Sequence, residues 1–331
     1  MGCEITHVEY YLPEEVFSNE DLKKEFPNTD LDKIEKIGIR SRSIASENQT
    51  SLDLAYNAAI KLLEKVDKAN IDFLLFCTQT PDYLLPTSAC ILQDKLGLKK
   101  NIGALDFNLG CSGYIYGLAV AKGLIEAGIA TKVLLLTGET YSKLINKNDR
   151  GNRTIFGDAG SATIISNSKI NKLFNFELGT DGSGAENLIV RNGGVKNVKE
   201  IDPEIKKYGT DNHYTNNDLY MNGPEIFNFT IKNIPLLVKR TLISNGLDVN
   251  DLSYTIFHQA NKFMLEYLKK KNKIPDSKFY IDLEDTGNTV SNTIPIALKR
   301  SLSKGYVKKG DKVLLAGFGV GYSWGSTIIE I

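Results

Sequence analysis

Short apolar runs alternate with longer amphipathic stretches along the chain. Continuous apolar runs at residues 71–77, 102–107 and 132–138 are typical of β-strands that are covered on both faces. Residues 51–66 carry apolar side chains at helical spacing, and residues 114–127 are apolar or small at almost every position, so both stretches predict helices. Strands that alternate with helices in this way predict an α/β fold.

The same succession of patterns occurs a second time. The apolar run at residues 252–259 matches the first run, the run at 312–317 matches the one at 132–138, and a glycine-rich strand ends each copy. A repeat of about 160 residues is too long for a solenoid unit and indicates two similar domains. We therefore predict an N-terminal half of residues 1–168 and a C-terminal half of residues 169–331, related by a pseudo-twofold axis.

The composition gives no sign of a nucleic-acid-binding, membrane or metal-binding protein. The 331 residues include 40 basic and 40 acidic side chains, so no excess of positive charge suggests nucleic acid or a membrane surface as a partner. The sequence has no signal-peptide pattern and no membrane-spanning run, and its four cysteines and three histidines show no metal-binding spacing. We expect a cytoplasmic protein without a metal. Residues 181–220, rich in Gly, Asn, Asp and Lys, are predicted to be an insertion of loops.

Cys111 lies where a predicted strand gives way to the apolar helix of residues 114–127. A helix without a polar face belongs in the middle of a fold. Free N–H groups and the helix dipole at its start favour a thiolate, while Gly110 and Gly113 permit a sharp turn and leave the sulfur accessible. Cys111 is therefore a candidate nucleophile, and a buried structural cysteine is the alternative.

His258 and Asn288 occupy matching positions in the second half. His258 ends the repeated strand, and Asn288 precedes the helix that corresponds to the one after Cys111. Taken singly, a histidine at a strand end is commonly a hydrogen-bonded core residue, and an asparagine at a turn is commonly a helix cap. Because equivalent strand ends of two α/β halves can meet in one crevice, we expect the three side chains to share a site.

Together these residues and their neighbours resemble the ketoacyl-ACP synthase III branch of the thiolase-like superfamily. The resemblance covers essentially the whole chain and is most specific at residues 110–113, 258–261 and 287–289. It implies duplicated thiolase-like halves in a layered α-β-α-β-α body. It also implies a homodimer that works with acyl carrier protein (ACP).

The resemblance assigns a chemical role to each candidate. Cys111 would accept an acyl group from a thioester, and His258 and Asn288 would stabilise the enolate that forms when malonyl-ACP loses CO₂. The carbanion would then attack acyl-Cys111 in a decarboxylative Claisen condensation and give a 3-oxoacyl-ACP. The backbone N–H groups of Cys111 and Val320 would form the oxyanion hole for acyl transfer. Acyl-CoA or acyl-ACP and malonyl-ACP are the implied substrates, and no cofactor is implied.

Further positions follow from the same resemblance. The implied substrate-binding residues are Arg150, Asn261, Leu85, Phe156, Phe227 and Phe318, and Leu85 stands where a dimer partner closes the acyl pocket. A basic helix edge is expected to bind the acidic carrier protein. That edge is formed by Lys262, Lys269, Lys270, Lys271 and Lys273.

Some positions depart from the family pattern. Asp32 and Lys36 stand where members primed by acyl-CoA have a tryptophan and an arginine around the adenine, and Phe263 stands where an arginine usually contacts the carrier. These departures favour an acyl group delivered on a carrier protein and a specialised pathway. Two alternatives stay open: an acyltransferase that passes the acyl group to an amine or hydroxyl, and a non-catalytic carrier-binding subunit. A hydroxymethylglutaryl-type condensation would need a carboxylate where this chain has Gln79.

Overall fold

The computed structural model describes residues 2–30, 34–209 and 212–331 of the chain. Its helices are α1 (Asn19–Glu25), α2 (Ser51–Leu63), α3 (Ser88–Lys95), α4 (Gly113–Glu126), α5 (Arg150–Ile155), α6 (Gly223–Ser244), α7 (Lys262–Lys271) and α8 (Thr293–Ser303). Its strands are β1 (Gly2–Tyr11), β2 (Glu15–Ser18), β3 (Ser41–Ile44), β4 (Phe73–Cys77), β5 (Gly103–Phe107), β6 (Lys132–Glu139), β7 (Ala159–Ser168), β8 (Glu177–Thr180), β9 (Leu188–Val190), β10 (Lys206–Tyr208), β11 (Asn212–Tyr214), β12 (Leu219–Met221), β13 (Tyr254–Phe257), β14 (Lys312–Gly319) and β15 (Ser323–Glu330).

Two mixed sheets share one pattern of strand pairing. The first sheet has the order β1-β7-β6-β4-β5, and the second has the order β13-β14-β15-β8. In the first, β4 runs parallel to β6, while β7 is antiparallel to both β6 and β1. In the second, β13 runs parallel to β14, while β15 is antiparallel to both β14 and β8. Four strands of one sheet therefore correspond in order and direction to the four strands of the other.

Helices fill the space between the sheets and cover both outer faces. The apolar residues of α4 and α8 form one buried cluster with residues of both sheets. Helices α2 and α3 cover the outer face of the first sheet, and α6 and α7 cover the outer face of the second. The predicted α-β-α-β-α layering is therefore confirmed. Among the described helices, none combines the length and the hydropathy needed to cross a lipid bilayer.

Small residues allow α4 to lie in this central layer. A Cβ atom added at Gly113 would lie 2.3 Å from the sulfur of Cys77, and one added at Gly117 would lie 2.6 Å from Leu135. Because these contacts exclude any larger side chain, the helix can pack directly against the first sheet. This close packing fixes the turn that precedes α4, which carries Cys111.

The segment predicted as an insertion of loops contains two short antiparallel pairs. β9 pairs with β12, and β10 pairs with β11. The rings of Tyr208, Tyr214 and Tyr220 pack against one another with centroids 4.9–5.5 Å apart. The segment is therefore not made of loops throughout. The sequence did not reveal its strands because they have only three residues each and are stabilised by tyrosine packing rather than by an apolar run.

Candidate active site

Cys111 lies in the turn before α4, with only 6% of its surface exposed. The glycines of β14 form the wall beside it. A Cβ atom at Gly319 would lie 3.0 Å from the Cys111 sulfur, and one at Gly317 would lie 2.7 Å from the Cys111 carbonyl oxygen. The strand backbone can approach the sulfur only because both positions lack side chains. The glycine-rich end of the second half therefore serves to enclose the nucleophile.

The Cys111 side chain is a thiol at neutral pH. Burial, with a smaller contribution from the Glu139 carboxyl, raises the pKa of Cys111 to about 12. The position of Cys111 at the start of a helix predicted a thiolate. The raised pKa contradicts this part of the prediction. Enclosure of the sulfur beside β14 disfavours the charged thiolate, and desolvation is the largest cause of the raised pKa.

His258 follows β13 and is buried beside the same cavity as Cys111. Its Nδ1 atom lies 2.7 Å from Oγ1 of Thr293, and its Nε2 atom lies 3.5 Å from Nδ2 of Asn288. Burial lowers the pKa of His258 to about 3. The imidazole is therefore neutral over the physiological pH range.

Asn288 is held on both its backbone and its side chain. Its backbone N–H donates to the carbonyl of Ile155 at 2.9 Å, and its carbonyl accepts from the N–H of Gly157 at 3.1 Å. The side-chain oxygen accepts from the N–H of Val290 at 2.9 Å. Because Oδ1 is engaged in this way, the amide nitrogen Nδ2 is the atom directed at His258.

One small cavity joins the three predicted residues. It has a volume of about 110 Å³, and Cys111, His258 and Asn288 all contribute to its wall. Val320 follows β14 and packs in the apolar cluster that contains Cys111. Within the residues that the structure describes, neither the Cys111 N–H nor the Val320 N–H donates to another residue. The oxyanion hole that these two N–H groups were predicted to form stays a prediction.

Comparison with known proteins agrees with this arrangement. Residues 105–182 match the family model for 3-oxoacyl-[acyl-carrier-protein] synthase III, and residues 242–331 match the model for its C-terminal part. A β-ketoacyl-[acyl-carrier-protein] synthase III of Fusobacterium nucleatum subsp. nucleatum is 38% identical over 324 residues, which cover 97% of this chain and 96% of that protein. The chain belongs to the 3-oxoacyl-[acyl-carrier-protein] synthase III family.

Solved structures of synthase III proteins superpose on the whole chain. A 3-oxoacyl-(acyl-carrier-protein) synthase III structure is 44% identical, with a TM-score of 0.98 and full coverage of both chains. A 3-oxoacyl-(acyl carrier protein) synthase from Burkholderia xenovorans LB400 is 35% identical, with a TM-score of 0.92, and the match covers 100% of this chain and 94% of that one. The predicted family is confirmed, and with it the prediction of an acyl-transferring ketosynthase.

The predicted pocket residues of this synthase III chain divide into two groups. Phe156, Phe318 and Asn261 line the cavity beside Cys111. Phe227 does not line it, because its ring stacks on that of Phe263 at a centroid distance of 5.6 Å. Leu85 lies outside the cavity of its own chain and is 82% exposed. Phe227 is therefore corrected as a wall of this cavity. Leu85 was predicted for the pocket of a dimer partner, and it stays a prediction.

Arg150 lines a second, larger cavity of about 690 Å³. The two cavities have Ile155, Met221 and Gly223 in common, so the larger one leads toward the inner one. Asp32, which takes the place of the family's adenine-binding tryptophan in the sequence, lies outside the described residues. The larger cavity therefore lies next to the one at Cys111.

The basic edge of α7 is smaller than predicted. Lys269 is buried, and its ammonium lies 2.5 Å from the Glu266 carboxylate and 2.7 Å from that of Asp276. A paired and buried ammonium is not available to an acidic partner, so Lys269 is removed from the predicted docking surface. The exposed members are Lys262, Lys270, Lys271 and Lys273.

Two polar residues of the site had no assigned role in the sequence interpretation. Thr293 contacts His258, but a threonine at the start of a predicted helix gives no signal of that contact. Glu139 ends the apolar run of β6. An acidic residue at the end of a buried strand could have identified it as a candidate site residue. Its carboxylate accepts from the Gln79 N–H at 3.1 Å and from the Ser291 hydroxyl at 3.0 Å. Burial raises the pKa of Glu139 to about 8.

Proposed function

We propose that this protein catalyses the decarboxylative condensation of an acyl thioester with malonyl-ACP to give a 3-oxoacyl-ACP. The observation that carries the proposal is the pairing of two neutral nitrogen groups, on His258 and Asn288, in the cavity that holds a cysteine. The curated relative at 38% identity and the solved structure at 44% identity have synthase III names. The reaction needs no cofactor beyond its thioester substrates.

The first half-reaction transfers the acyl group to Cys111. The sulfur attacks the thioester carbonyl carbon, and the carbonyl oxygen becomes an oxyanion between the N–H groups of Cys111 and Val320. The C–S bond to the carrier then breaks, and the carrier sulfur leaves with the proton that the Cys111 thiol has lost. The product is acyl-Cys111 and a free carrier thiol.

The second half-reaction depends on which ring nitrogen of His258 carries the proton. The Thr293 hydroxyl has one proton to donate, and its contact with His258 Nδ1 at 2.7 Å is shorter than its contact with the Val290 carbonyl at 3.2 Å. We propose that in the reacting state the hydroxyl turns from the Val290 carbonyl to donate to Nδ1, which leaves the imidazole proton on Nε2. The Nε2–H and Asn288 Nδ2–H groups are then two donors 3.5 Å apart, a separation that suits a shared acceptor oxygen.

That acceptor is the thioester oxygen of the malonyl group. When the carbon–carbon bond to the carboxylate breaks, CO₂ leaves and the electron pair forms an enolate whose oxygen lies between the two donors. The enolate carbon attacks the carbonyl carbon of acyl-Cys111, and the Cys111 sulfur leaves as a thiolate, which takes a proton from solvent to return to the thiol. Because the donors belong to neutral groups, they stabilise the enolate without supplying a ready proton to its carbon.

Acyl carrier protein is the proposed partner, and the exposed lysines of α7 are its proposed docking surface. Lys262, Lys270 and Lys271 lie on α7, whose cap residue, Asn261, lines the cavity at Cys111, and Lys273 follows just after the helix. Lys36 and Phe263 at the outer surface favour a primer that also arrives on a carrier protein, in a specialised pathway. We place the protein in the cytoplasm and treat residues 1–168 and 169–331 as its two halves.

A homodimer is the proposed assembly. In the described part of the chain β5 pairs on one side only, with β4, and Leu105 on this edge strand is 46% exposed. Leu84 and Leu85 are each 82% exposed. An unprotected edge strand beside exposed leucines is suited to pairing with a second copy. Sedimentation analysis of the wild-type chain, compared with a Leu105→Lys variant, tests this assembly.

Intact-mass spectrometry and CO₂ release test the reaction. With acyl donors on ACP and on CoA, we expect a thioester adduct that disappears in Cys111→Ala. With malonyl-ACP, we expect CO₂ release that falls about 100- to 1,000-fold in Asn288→Ala, because one oxyanion donor is removed. An adduct that transfers to amines or hydroxyls without CO₂ release would instead support the acyltransferase. Absence of any adduct would support the non-catalytic subunit.

A further inference from the structure

A hydrogen bond between two serines connects two distant turns of the chain beside Cys111. Ser112 follows Cys111 directly, and its hydroxyl oxygen lies 2.5 Å from that of Ser323, the first residue of β15. Both serines are buried. They are 211 positions apart in the sequence, so the bond joins the turn that carries Cys111 to the turn between β14 and β15.

Ser112 stands at the position that caps helix α4, but its side chain does not cap the helix. A serine at this position usually has an extended backbone and accepts a hydrogen bond from an N–H group in the first turn. Ser112 instead has φ −88° and ψ −10°, and its side chain makes no capping bond. Ser18 and Thr50 do cap their helices, α1 and α2, in this way. The Ser112 hydroxyl therefore bonds to Ser323 instead of to its own helix.

A second contact of Ser323 determines the direction of both hydrogen bonds. The Ser323 hydroxyl donates to the Val320 carbonyl at 3.2 Å. Because a hydroxyl has a single proton to donate, the Ser112 hydroxyl donates to Ser323 Oγ. The two bonds form a chain from the residue after Cys111 to Val320. Hydrogen bonds in such a chain strengthen one another where water is excluded.

The two turns also pack closely against each other. A Cβ atom added at Gly110 would lie 2.7 Å from Cγ1 of Val320, and one added at Gly319 would lie 2.9 Å from Cβ of Cys111. Packing of this kind limits how closely the two turns approach. A hydrogen bond also depends on angle, so the serine bond favours one orientation of the turns. Together the contacts fix Val320 relative to Cys111.

We propose that Ser112 and Ser323 are positioning residues that hold the N–H groups of Cys111 and Val320 at the spacing needed to bind the oxyanion of acyl transfer. This inference rests on the proposed function, in which these two N–H groups bind the thioester oxygen in the first half-reaction. Neither serine lines the cavity at Cys111, so both act through the backbone. A displacement of about 1 Å can slow a reaction about 100-fold, so a bond of this kind can control the rate.

Separate rates for the two half-reactions test the inference. Acylation of Cys111 is followed by intact mass with an acyl donor and no malonyl-ACP, and CO₂ release is followed with malonyl-ACP and no acyl donor. In Ser112→Ala and in Ser323→Ala we expect acylation to slow at least about tenfold. CO₂ release should stay within about threefold of the wild-type rate, because its proposed donors are on His258 and Asn288. Asn288→Ala should show the opposite split.

Three further variants separate positioning from general stability. Ser323→Thr retains the hydroxyl and should acylate within about threefold of the wild-type rate. Ser326→Ala removes another buried hydroxyl of β15, which bonds to Thr241 on α6, and it should leave the ratio of the two rates unchanged. The double variant with Ser112→Ala and Ser323→Ala should acylate about as slowly as Ser323→Ala alone, because both substitutions remove the same bond. Because the ratio compares two reactions of one preparation, a partly unfolded fraction does not change it.

The outcomes distinguish this inference from the proposed function. Acylation at the wild-type rate in both Ser112→Ala and Ser323→Ala would overturn the positioning role while leaving the proposed function intact. An equal fall in acylation and CO₂ release would also overturn it, because the bond would then only stabilise the fold. Losses that multiply in the double variant would contradict a shared bond and overturn it as well. If no donor acylates wild-type Cys111, the proposed function itself fails, and the positioning role fails with it.

Discussion

Replacing Thr293 by valine removes the only described side-chain contact of His258 Nδ1 while preserving the shape of the residue. Without the hydroxyl, the imidazole proton is more stable on Nδ1, because Nε2 can then accept from Asn288 Nδ2 at 3.5 Å. One of the two donors to the enolate oxygen is thereby lost. Loss of one oxyanion donor raises a barrier by about 3–4 kcal/mol, so decarboxylation should slow about 100- to 1,000-fold.

The assay measures the two half-reactions separately. CO₂ release from malonyl-ACP should show the full loss, whereas acylation of Cys111 should stay within about threefold of the wild-type rate, because its oxyanion is bound by backbone N–H groups. Thr293→Ser retains the hydroxyl and is the matched control, with decarboxylation near the wild-type rate. The free energy of unfolding of the valine variant should fall by about 1–3 kcal/mol for the lost buried contact.

Two results would refute this reasoning. If Thr293→Val releases CO₂ as fast as the wild type, the hydroxyl does not determine the position of the imidazole proton. If acylation and decarboxylation fall by the same factor, the substitution has damaged the cavity as a whole. Recovery of decarboxylation in Thr293→Ser alone supports the assignment of the proton to Nε2.

Three further perturbations test other features of the site. The pKa of Glu139 is raised from its ordinary value of 4.5 to about 8, so between these pH values the folded chain keeps a proton that the unfolded chain releases. The free energy of unfolding should therefore fall as pH rises from 4.5 to about 8. Glu139→Gln should make the free energy of unfolding, measured with denaturant, less dependent on pH over this range. Gly319→Ala would place a Cβ atom 2.9 Å from the Cys111 Cβ atom, so acylation measured by intact mass should slow at least about tenfold. Lys270→Glu with Lys271→Glu should raise the KM for the carrier protein in low salt with little change in kcat, and an unchanged KM would argue against α7 as the docking surface.

The sequence predicted most of the fold because the information was local and repeated. A continuous apolar run such as β6 must be covered on both faces, and a helix that is apolar on every side, such as α4, must lie between layers. The repeat then placed His258 and Asn288 in the half opposite Cys111, and the structure brings all three to one cavity. Periodicity and duplication together were sufficient for this arrangement.

Features that depend on distant side chains could not be predicted in this way. The thiol state of Cys111 reflects desolvation by several elements together, whereas the sequence showed only the helix that follows it. The pairing of Lys269 with Asp276 depends on the path of the chain after α7. The contact of Tyr141 with Gln79 joins residues 62 positions apart, and no periodic pattern relates them.

Burial of the site raises the pKa of Cys111 and so contradicts the predicted thiolate. The same burial favours the second half-reaction. In a cavity that keeps Cys111 and His258 uncharged at rest, the enolate is the charge that must be stabilised, and two fixed N–H donors act on it with little competition from water. A histidine with a pKa near 3 is hard to protonate, so it offers the enolate a hydrogen bond rather than a transferable excess proton. The lifetime of the carbanion therefore depends on the same desolvation that holds the cysteine as a thiol, and acylation must begin from that thiol.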